Sequence, residues 1–207
     1  MKKLIQGILE FRHNCKDEYC SRFGGLAEKH DPDALFVACC DSRVVPNVFA
    51  STDPGDLFVL RNIGNSIPPY QIFGASDASV TAAIEFALLE LKVKDIIVCG
   101  HSDCGAMRAV LEQKKLHPGV AAWLSCAKPS YERFLEDCGD FAPDITPLNR
   151  LSQIYVMQQL EHLQTYPMVS EYLQQGVLAL HGWWFDLATA DVFQYSEKEQ
   201  KFVLIEA

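Results

Sequence analysis

The 207-residue chain predicts a single α/β domain, with a mostly parallel central sheet flanked by helices, a helical arm before it and an antiparallel edge after it. Three observations carry this expectation. Short, unbroken apolar runs alternate with longer segments of helical periodicity, the pattern of strands buried on both faces and joined by helical crossovers. Polar, chemistry-bearing clusters follow two of these runs directly, where ligands of parallel sheets gather. Hydrophobic residues make up 49% of the chain, enough for one sizeable core, and no repeat or long linker divides it.

The elements follow in order. The opening MKKLIQGILEFRHN begins like a leader, but Gln6, Glu10 and Arg12 interrupt the apolar run and no small-residue cleavage site follows. Leu4, Ile5, Ile8, Leu9 and Phe11 fall instead at helical spacing, which predicts an amphipathic helix that docks on something. Residues 1–24 are assigned to this arm and 25–207 to the α/β domain. Asp33 to Cys40 reads as a buried strand, and Leu57 to Leu60 as a second, introduced by the turn Asp53-Pro54-Gly55-Asp56. Ser76 to Leu91 is a helix with Val80, Ile84, Leu88 and Leu91 in one stripe. Ile96 to Cys99 and Val177 to Leu180 are the next strands. Leu151 to Leu163 is a helix in which Gln158 and Glu161 mark a polar flank. Gly182 to Tyr195 predicts a hairpin, with Trp183, Trp184 and Phe185 across from Val192 and Phe193, and Lys201 to Ile205 adds an edge strand.

Charge narrows the function. A net charge of −9 argues against a non-specific nucleic-acid or anionic-membrane binder, since both need a positive surface. No window approaches a membrane span, so a cytoplasmic protein is expected. The eight cysteines then read mostly as buried thiols, with ligands or nucleophiles among them. Cys99 reads as core; Cys15, Cys20, Cys126 and Cys138 have no partner at ligand spacing.

Two clusters stand at strand ends: CCDSR (residues 39–43) and GHSDCG (100–105). His101 and Cys104 offer an imidazole and a thiolate, and Cys39 or Cys40 completes a third position. Two soft thiolates and an imidazole select zinc over magnesium or calcium, with Asp41 or water as the fourth ligand. If the chain stays extended through Arg43, Cys39, Asp41 and Arg43 share one side, while Cys40 points away as a small buried hydrophobe. That alternation selects Cys39. Arg43 is a bidentate partner for Asp41 whenever the carboxylate leaves the metal, so Asp41 gates and Arg43 holds it. With Asp41 withdrawn, a zinc-bound water yields hydroxide near physiological pH, and Asp41 orients it. Two thiolates make that water less acidic than three histidines would, so activity rises toward mildly alkaline pH.

These residues resemble the β-class carbonic anhydrases. Cys39-x-Asp41-Ser42-Arg43 and His101-x-x-Cys104-Gly105 match that family's zinc motifs in order, and PGDLFVLRNIGN (54–65), AAIEFALLELKVKDIIVCGH (82–101) and LALHGWWFDLATADV (178–192) look like it too. The resemblance covers residues 25 to 195. It implies reversible hydration of carbon dioxide to bicarbonate, zinc on Cys39, His101 and Cys104 with Asp41 as fourth ligand or as dyad partner of Arg43, and a homodimer or homotetramer gripped by the N-terminal arm. It further implies an apolar substrate pocket including Phe58, Ile63, Phe86 and the backbone N–H of Gly105.

Two positions depart from the family pattern. His30 stands where many members carry a Gln that donates toward substrate; a His can donate the same bond or shuttle a proton. Phe36 replaces a Trp that serves bicarbonate-induced closure in some members, which favours an open site near neutral pH. His13, His117, His162 and His181 are read as structural or solvated. Two alternatives remain: a same-fold hydrolase of carbon disulfide or carbonyl sulfide, and a closed-site zinc scaffold. Loss of Asp41 or Arg43 would favour the scaffold, and both are present.

Overall fold

In a computed structural model, the described residues are 1–70, 78–136 and 145–206. The strands β1 (Ala34–Cys39), β2 (Leu57–Asn62), β3 (Asp95–His101), β4 (Ala179–Phe185), β5 (Val192–Ser196) and β6 (Lys201–Leu204) form one sheet in the order β2-β1-β3-β4-β5-β6. β1 to β4 run parallel; β5 and β6 return antiparallel. The helices are α1 (Lys2–Asn14), α2 (Lys16–Phe23), α3 (Pro46–Phe49), α4 (Ala78–Glu85), α5 (Gly105–Leu111), α6 (Pro118–Leu124), α7 (Lys128–Glu136), α8 (Pro147–Leu163) and α9 (Pro167–Gln174).

Every residue of β1 is buried, as an apolar run in a covered sheet requires. Leu35 and Val37 join Ile96 and Val98 on the face covered by α4, α8 and α9, where Val80, Ile84, Val156, Leu163 and Val169 pack. Ala34, Phe36 and Ala38 join Ile97 and Cys99 on the other face, against Phe49 of α3 and Phe185. The Phe49 and Phe185 rings stack with centroids 4.4 Å apart.

The terminal hairpin has the expected register, Trp184 opposite Phe193 and Phe185 opposite Val192. The expected strand Val177 to Leu180 and the first arm of the expected hairpin are one strand, Ala179–Phe185, which runs through Gly182 without a break. α8 crosses close over β3 and β4. A Cβ at Gly100 would lie 2.6 Å from Cγ2 of Val156, and one at Gly182 would lie 3.1 Å from Cδ1 of Leu160, so the helix sits where the strands carry no side chain.

Two helix expectations change. Ser76, the expected start of its helix, lies outside the described residues. After Glu85 that helix widens into a π-helical stretch, Phe86–Glu90, with the Leu91 N–H donating to the Phe86 carbonyl at 3.0 Å. The expected polar flank of α8 is half wrong: Glu161 is exposed and pairs with Arg133 at 2.7 Å, but Gln158 is buried. α8 is a central helix whose polar side chains hold neighbouring backbone. Gln159 Oε1 accepts from the Ile67 N–H at 2.8 Å, and His162 Nδ1 donates to the Ile67 carbonyl at 2.6 Å. Gln158 receives the Ser130 hydroxyl and bonds His162 Nε2 at 3.2 Å. These bonds satisfy groups that burial would otherwise leave unpaired.

The arm helices α1 and α2 bury no residue within the chain, and Leu4 and Ile8 are 66% and 65% exposed. Arg22 ties the arm to Asp53 at 3.3 Å. No helix among the described residues is long and apolar enough to cross a membrane.

Candidate metal centre

Both chemical clusters sit at the carboxyl ends of adjacent parallel strands. Cys39 is the last residue of β1, and His101 the last of β3. Cys104 then caps α5, which brings its thiol back toward the sheet. The Sγ atoms of Cys39 and Cys104 and a ring nitrogen of His101 lie within 4.8 Å of one another, all three residues buried.

The donor chemistry of this cluster fits a metal ion. His101 is fully buried and its Nδ1–H donates to the Ser102 carbonyl at 2.8 Å. That bond leaves Nε2 as the lone-pair nitrogen, and Nε2 is buried with no hydrogen-bond partner. An orphaned imidazole nitrogen facing two thiols is costly unless a cation takes it. The carbonyl of His101 is fixed in turn by the Ser152 hydroxyl at 3.0 Å, itself held by Trp184 Nε1 at 3.2 Å. Hydrogen bonding from Cys104, with the backbone N–H groups of Asp41 and Gly64, holds the Cys39 thiol well below its ordinary range despite burial. Cys104 is pushed up by the negative Cys39 sulfur and by burial, so the pair shares one proton where no cation lies between them. Cys99, wholly buried beside them in sequence, is pushed up by burial alone.

The alternation argument selects Cys39, and Cys39 is the cluster member; its reasoning holds only up to that residue. Cys40 is exposed rather than a small buried hydrophobe, because β1 ends at Cys39 and the chain leaves the sheet. Cys15 and Cys20 are exposed as well, on the arm; Cys126 is buried, and Cys138 lies outside the described residues. Beyond the strand a turn forms, with the Val44 N–H on the Asp41 carbonyl at 3.0 Å. Asp41 and Arg43 therefore meet through a tight local turn rather than by strand alternation. The Arg43 N–H donates to Asp41 Oδ1 at 3.0 Å, Nε to Oδ1 at 2.9 Å and Nη2 to Oδ2 at 2.7 Å. This bidentate guanidinium holds the Asp41 carboxyl far below the usual carboxylate range, against a smaller opposing effect of burial.

Three residues that sequence reasoning passed over complete the surroundings. Arg61, at the end of β2, donates to the Cys39 carbonyl through Nε at 3.0 Å and Nη2 at 2.8 Å, and to the Asp41 carbonyl at 2.7 Å. Its signal was legible: a guanidinium closing the apolar run LFVLRN must find acceptors. Asp103 accepts from Arg43 Nη1 at 3.1 Å, and Arg108 binds its other carboxylate oxygen. Nothing in the spacing of HSDC announces that pairing.

The expected substrate residues separate into two patches. The ring of His30 lies 6.0 Å from that of Phe58 and 6.5 Å from that of Phe86, and Phe58 and Phe86 are 5.8 Å apart. Ile63 instead lines a cavity of about 330 Å³ with Cys40, Arg61, Val80 and Trp123. Its carbonyl accepts from Trp123 Nε1 at 2.8 Å. Gly105 opens α5 directly after Cys104, with open space where a Cβ would stand.

Comparison with known proteins agrees with this geometry. Residues 34–192 match the family model described as carbonic anhydrase. A carbonic anhydrase of Pseudomonas aeruginosa is 39% identical over 98% of this chain and 91% of its own length. One of Synechocystis is 38% identical over 98% of this chain and 74% of its own length. Among solved structures, the β-carbonic anhydrase CcaA superposes with a TM-score of 0.90 at 36% identity, over 100% of this chain and 92% of that one. A tetrameric β-carbonic anhydrase from Sordaria macrospora gives a TM-score of 0.81 at 27% identity, over 93% and 96%. A shared sheet, a shared length and a buried thiol–imidazole–thiol cluster at its carboxyl edge lead to one conclusion: the chain belongs to the β-class carbonic anhydrases.

Proposed function

We propose that this carbonic anhydrase interconverts carbon dioxide and bicarbonate at a zinc ion held by Cys39, His101 and Cys104, with Asp41 and Arg43 governing the fourth position. The observation that carries the assignment is the buried, unpartnered Nε2 of His101 between two thiols. Two sulfurs and a nitrogen are a zinc donor set with one position to spare, the composition of catalytic rather than closed sites. When bound, zinc supplies Lewis-acid activation of water near neutral pH.

The chain's own residues do the rest. Arg43 keeps Asp41 ionised and outside the donor cluster, which leaves the fourth position to water. From there the carboxylate accepts a hydrogen bond from the attacking water and orients it. Released from Arg43, Asp41 would be the residue able to serve as a fourth donor, a change that acid would favour. Arg61 fixes the Cys39 and Asp41 carbonyls, so the turn carrying Asp41 moves against a rigid base. Phe58, Phe86 and Ile63 offer apolar walls for an uncharged substrate, with the Gly105 N–H and His30 as polar contacts. The arm, residues 1–24, covers its apolar face on a second copy in a homodimer or homotetramer; the Sordaria macrospora relatives are tetrameric.

Stopped-flow carbon dioxide hydration by the zinc-loaded protein tests the reading. Activity should rise from mildly acidic to mildly alkaline pH and fall about 10- to 100-fold in Asp41→Asn, the scale of losing a group that supports a metal site. No activity at any pH, with one zinc per chain, overturns it.

A further inference from the structure

The two turns that carry the proposed zinc donors belong to different strands, and Arg43 spans the gap between them. Toward its own turn it presents Nε and Nη2 to Asp41. Toward the other it presents Nη1 to Asp103 Oδ2 at 3.1 Å and Nη2 to the Asp103 carbonyl at 3.2 Å. Both forks of the guanidinium are thus occupied, by residues 60 apart in sequence from Arg43 on one side and two apart on the other.

We propose that Asp103 is a positioning residue: it anchors Arg43 to the His101–Cys104 turn and so keeps Asp41 turned away from the metal donors. The inference rests on the gating role given to Asp41 above. The Arg43 side chain is 49% exposed, and a local pair with Asp41 alone, in that setting, is weak and free to swing. Asp103 removes that freedom because it is itself held by two further partners. Arg108 of α5 binds its Oδ1, and its N–H donates to Asn149 Oδ1 at 3.1 Å from the first turn of α8. Its backbone takes φ +55°, a left-handed conformation that Asp adopts more readily than most residues. Arg108 in turn lies 3.8 Å from Glu112, which Lys114 neutralises at 2.6 Å. The anchor therefore belongs to the scaffold of α5 and α8, while Asp41 and Arg43 ride on it.

Removing the Asp103 carboxylate leaves Arg43 dependent on Asp41 alone, and Asp41 then visits the donor cluster more often. Asp103→Asn preserves size and tolerates the left-handed backbone, so it isolates the charge. With zinc content unchanged, its activity near neutral pH should fall about 3- to 10-fold, the scale of one charge-assisted contact at a half-exposed site. At alkaline pH it should return to within about twofold of wild type, so that the whole pH profile moves toward alkali. Arg108→Gln, further from the donors, should move it the same way by less. Crystal structures of zinc-loaded wild type and Asp103→Asn at one near-neutral pH give a readout independent of rate. The Arg43–Asp41 pair should be intact in wild type and displaced in the variant.

A loss by the same factor at every pH with Arg43 unmoved, or a profile that superposes on wild type, overturns the positioning role. If Asp103→Asn does not fold, an unshifted profile and an unmoved Arg43 in Arg108→Gln overturn it equally. A wild-type protein inactive at every pH sinks the catalytic reading instead, and the position of Arg43 in the two crystals still decides whether Asp103 places it.

Discussion

Adjacent cysteines of one chemistry have opposite fates because the sheet ends between them. Cys39 is inside the hydrogen-bonded ladder, opposite Asn62, and its side chain shares the face of Leu35 and Val37. Cys40 keeps one backbone bond, to the Asn62 carbonyl at 2.8 Å, and its thiol is exposed. Cys40→Ser should leave bound zinc, measured by elemental analysis, within about twofold of wild type, whereas Cys39→Ser should weaken zinc affinity by more than the roughly 10- to 100-fold that loss of a group supporting a ligand costs. The parity of an extended chain made this choice readable without a structure. The same parity misled beyond the strand end, where a turn rather than a pleat brings Arg43 onto Asp41. Alternation is a property of the ladder and stops with it. Asp103 was illegible for a related reason: its partner Arg43 lies in the turn after another strand, and strand order is not written in local spacing.

Helix α8 shows the limit of periodicity at the level of elements. Its apolar positions marked it as a helix, but its polar positions do not mark solvent. Gln153, Gln158, Gln159 and His162 are all buried, and Tyr155 and Gln159 secure the loop after β2 that carries Ile63 to Pro68. Sequence patterns weigh polarity, whereas burial of a polar group depends on whether a backbone partner is within reach. His162 gives this clamp a pH dependence. Burial lowers its folded pKa below the ordinary value, against smaller raising effects of the Ile67 carbonyl and Glu161. The unfolded chain takes up a proton near pH 6.5 that the folded chain refuses, so the stabilising contribution is complete above that pH. It declines as pH falls from about 6.5 through the folded pKa. Urea unfolding at pH 7 and pH 5 should show that loss, and His162→Gln should flatten part of it while lowering stability at pH 7 by about 1–3 kcal/mol.

At the scale of the whole molecule, the arm and the domain obey different rules. The domain buries its strands from both sides, and this is why alternating apolar runs and helices foretold its class. The antiparallel finish follows from connection lengths: helical crossovers serve the parallel strands, and short turns join β4 to β6. The arm offers Leu4, Ile5, Ile8, Leu9 and Phe11 to solvent, each at least 45% exposed, with Phe11 meeting only the ring edge of Tyr19 among the described residues. Removing residues 1–24 should therefore lower the assembly state, read by light scattering, while circular dichroism of the domain persists.

The pairing of β1 with β3 has a consequence of another kind. Cys39 comes from one of these strands, His101 and Cys104 from the other, and no stretch of contiguous chain holds all three. An ion gripped by the full set thus acts as a gauge of tertiary structure. It can stay only while two remote parts of the polypeptide remain in register, so a parting of β1 from β3 would release it.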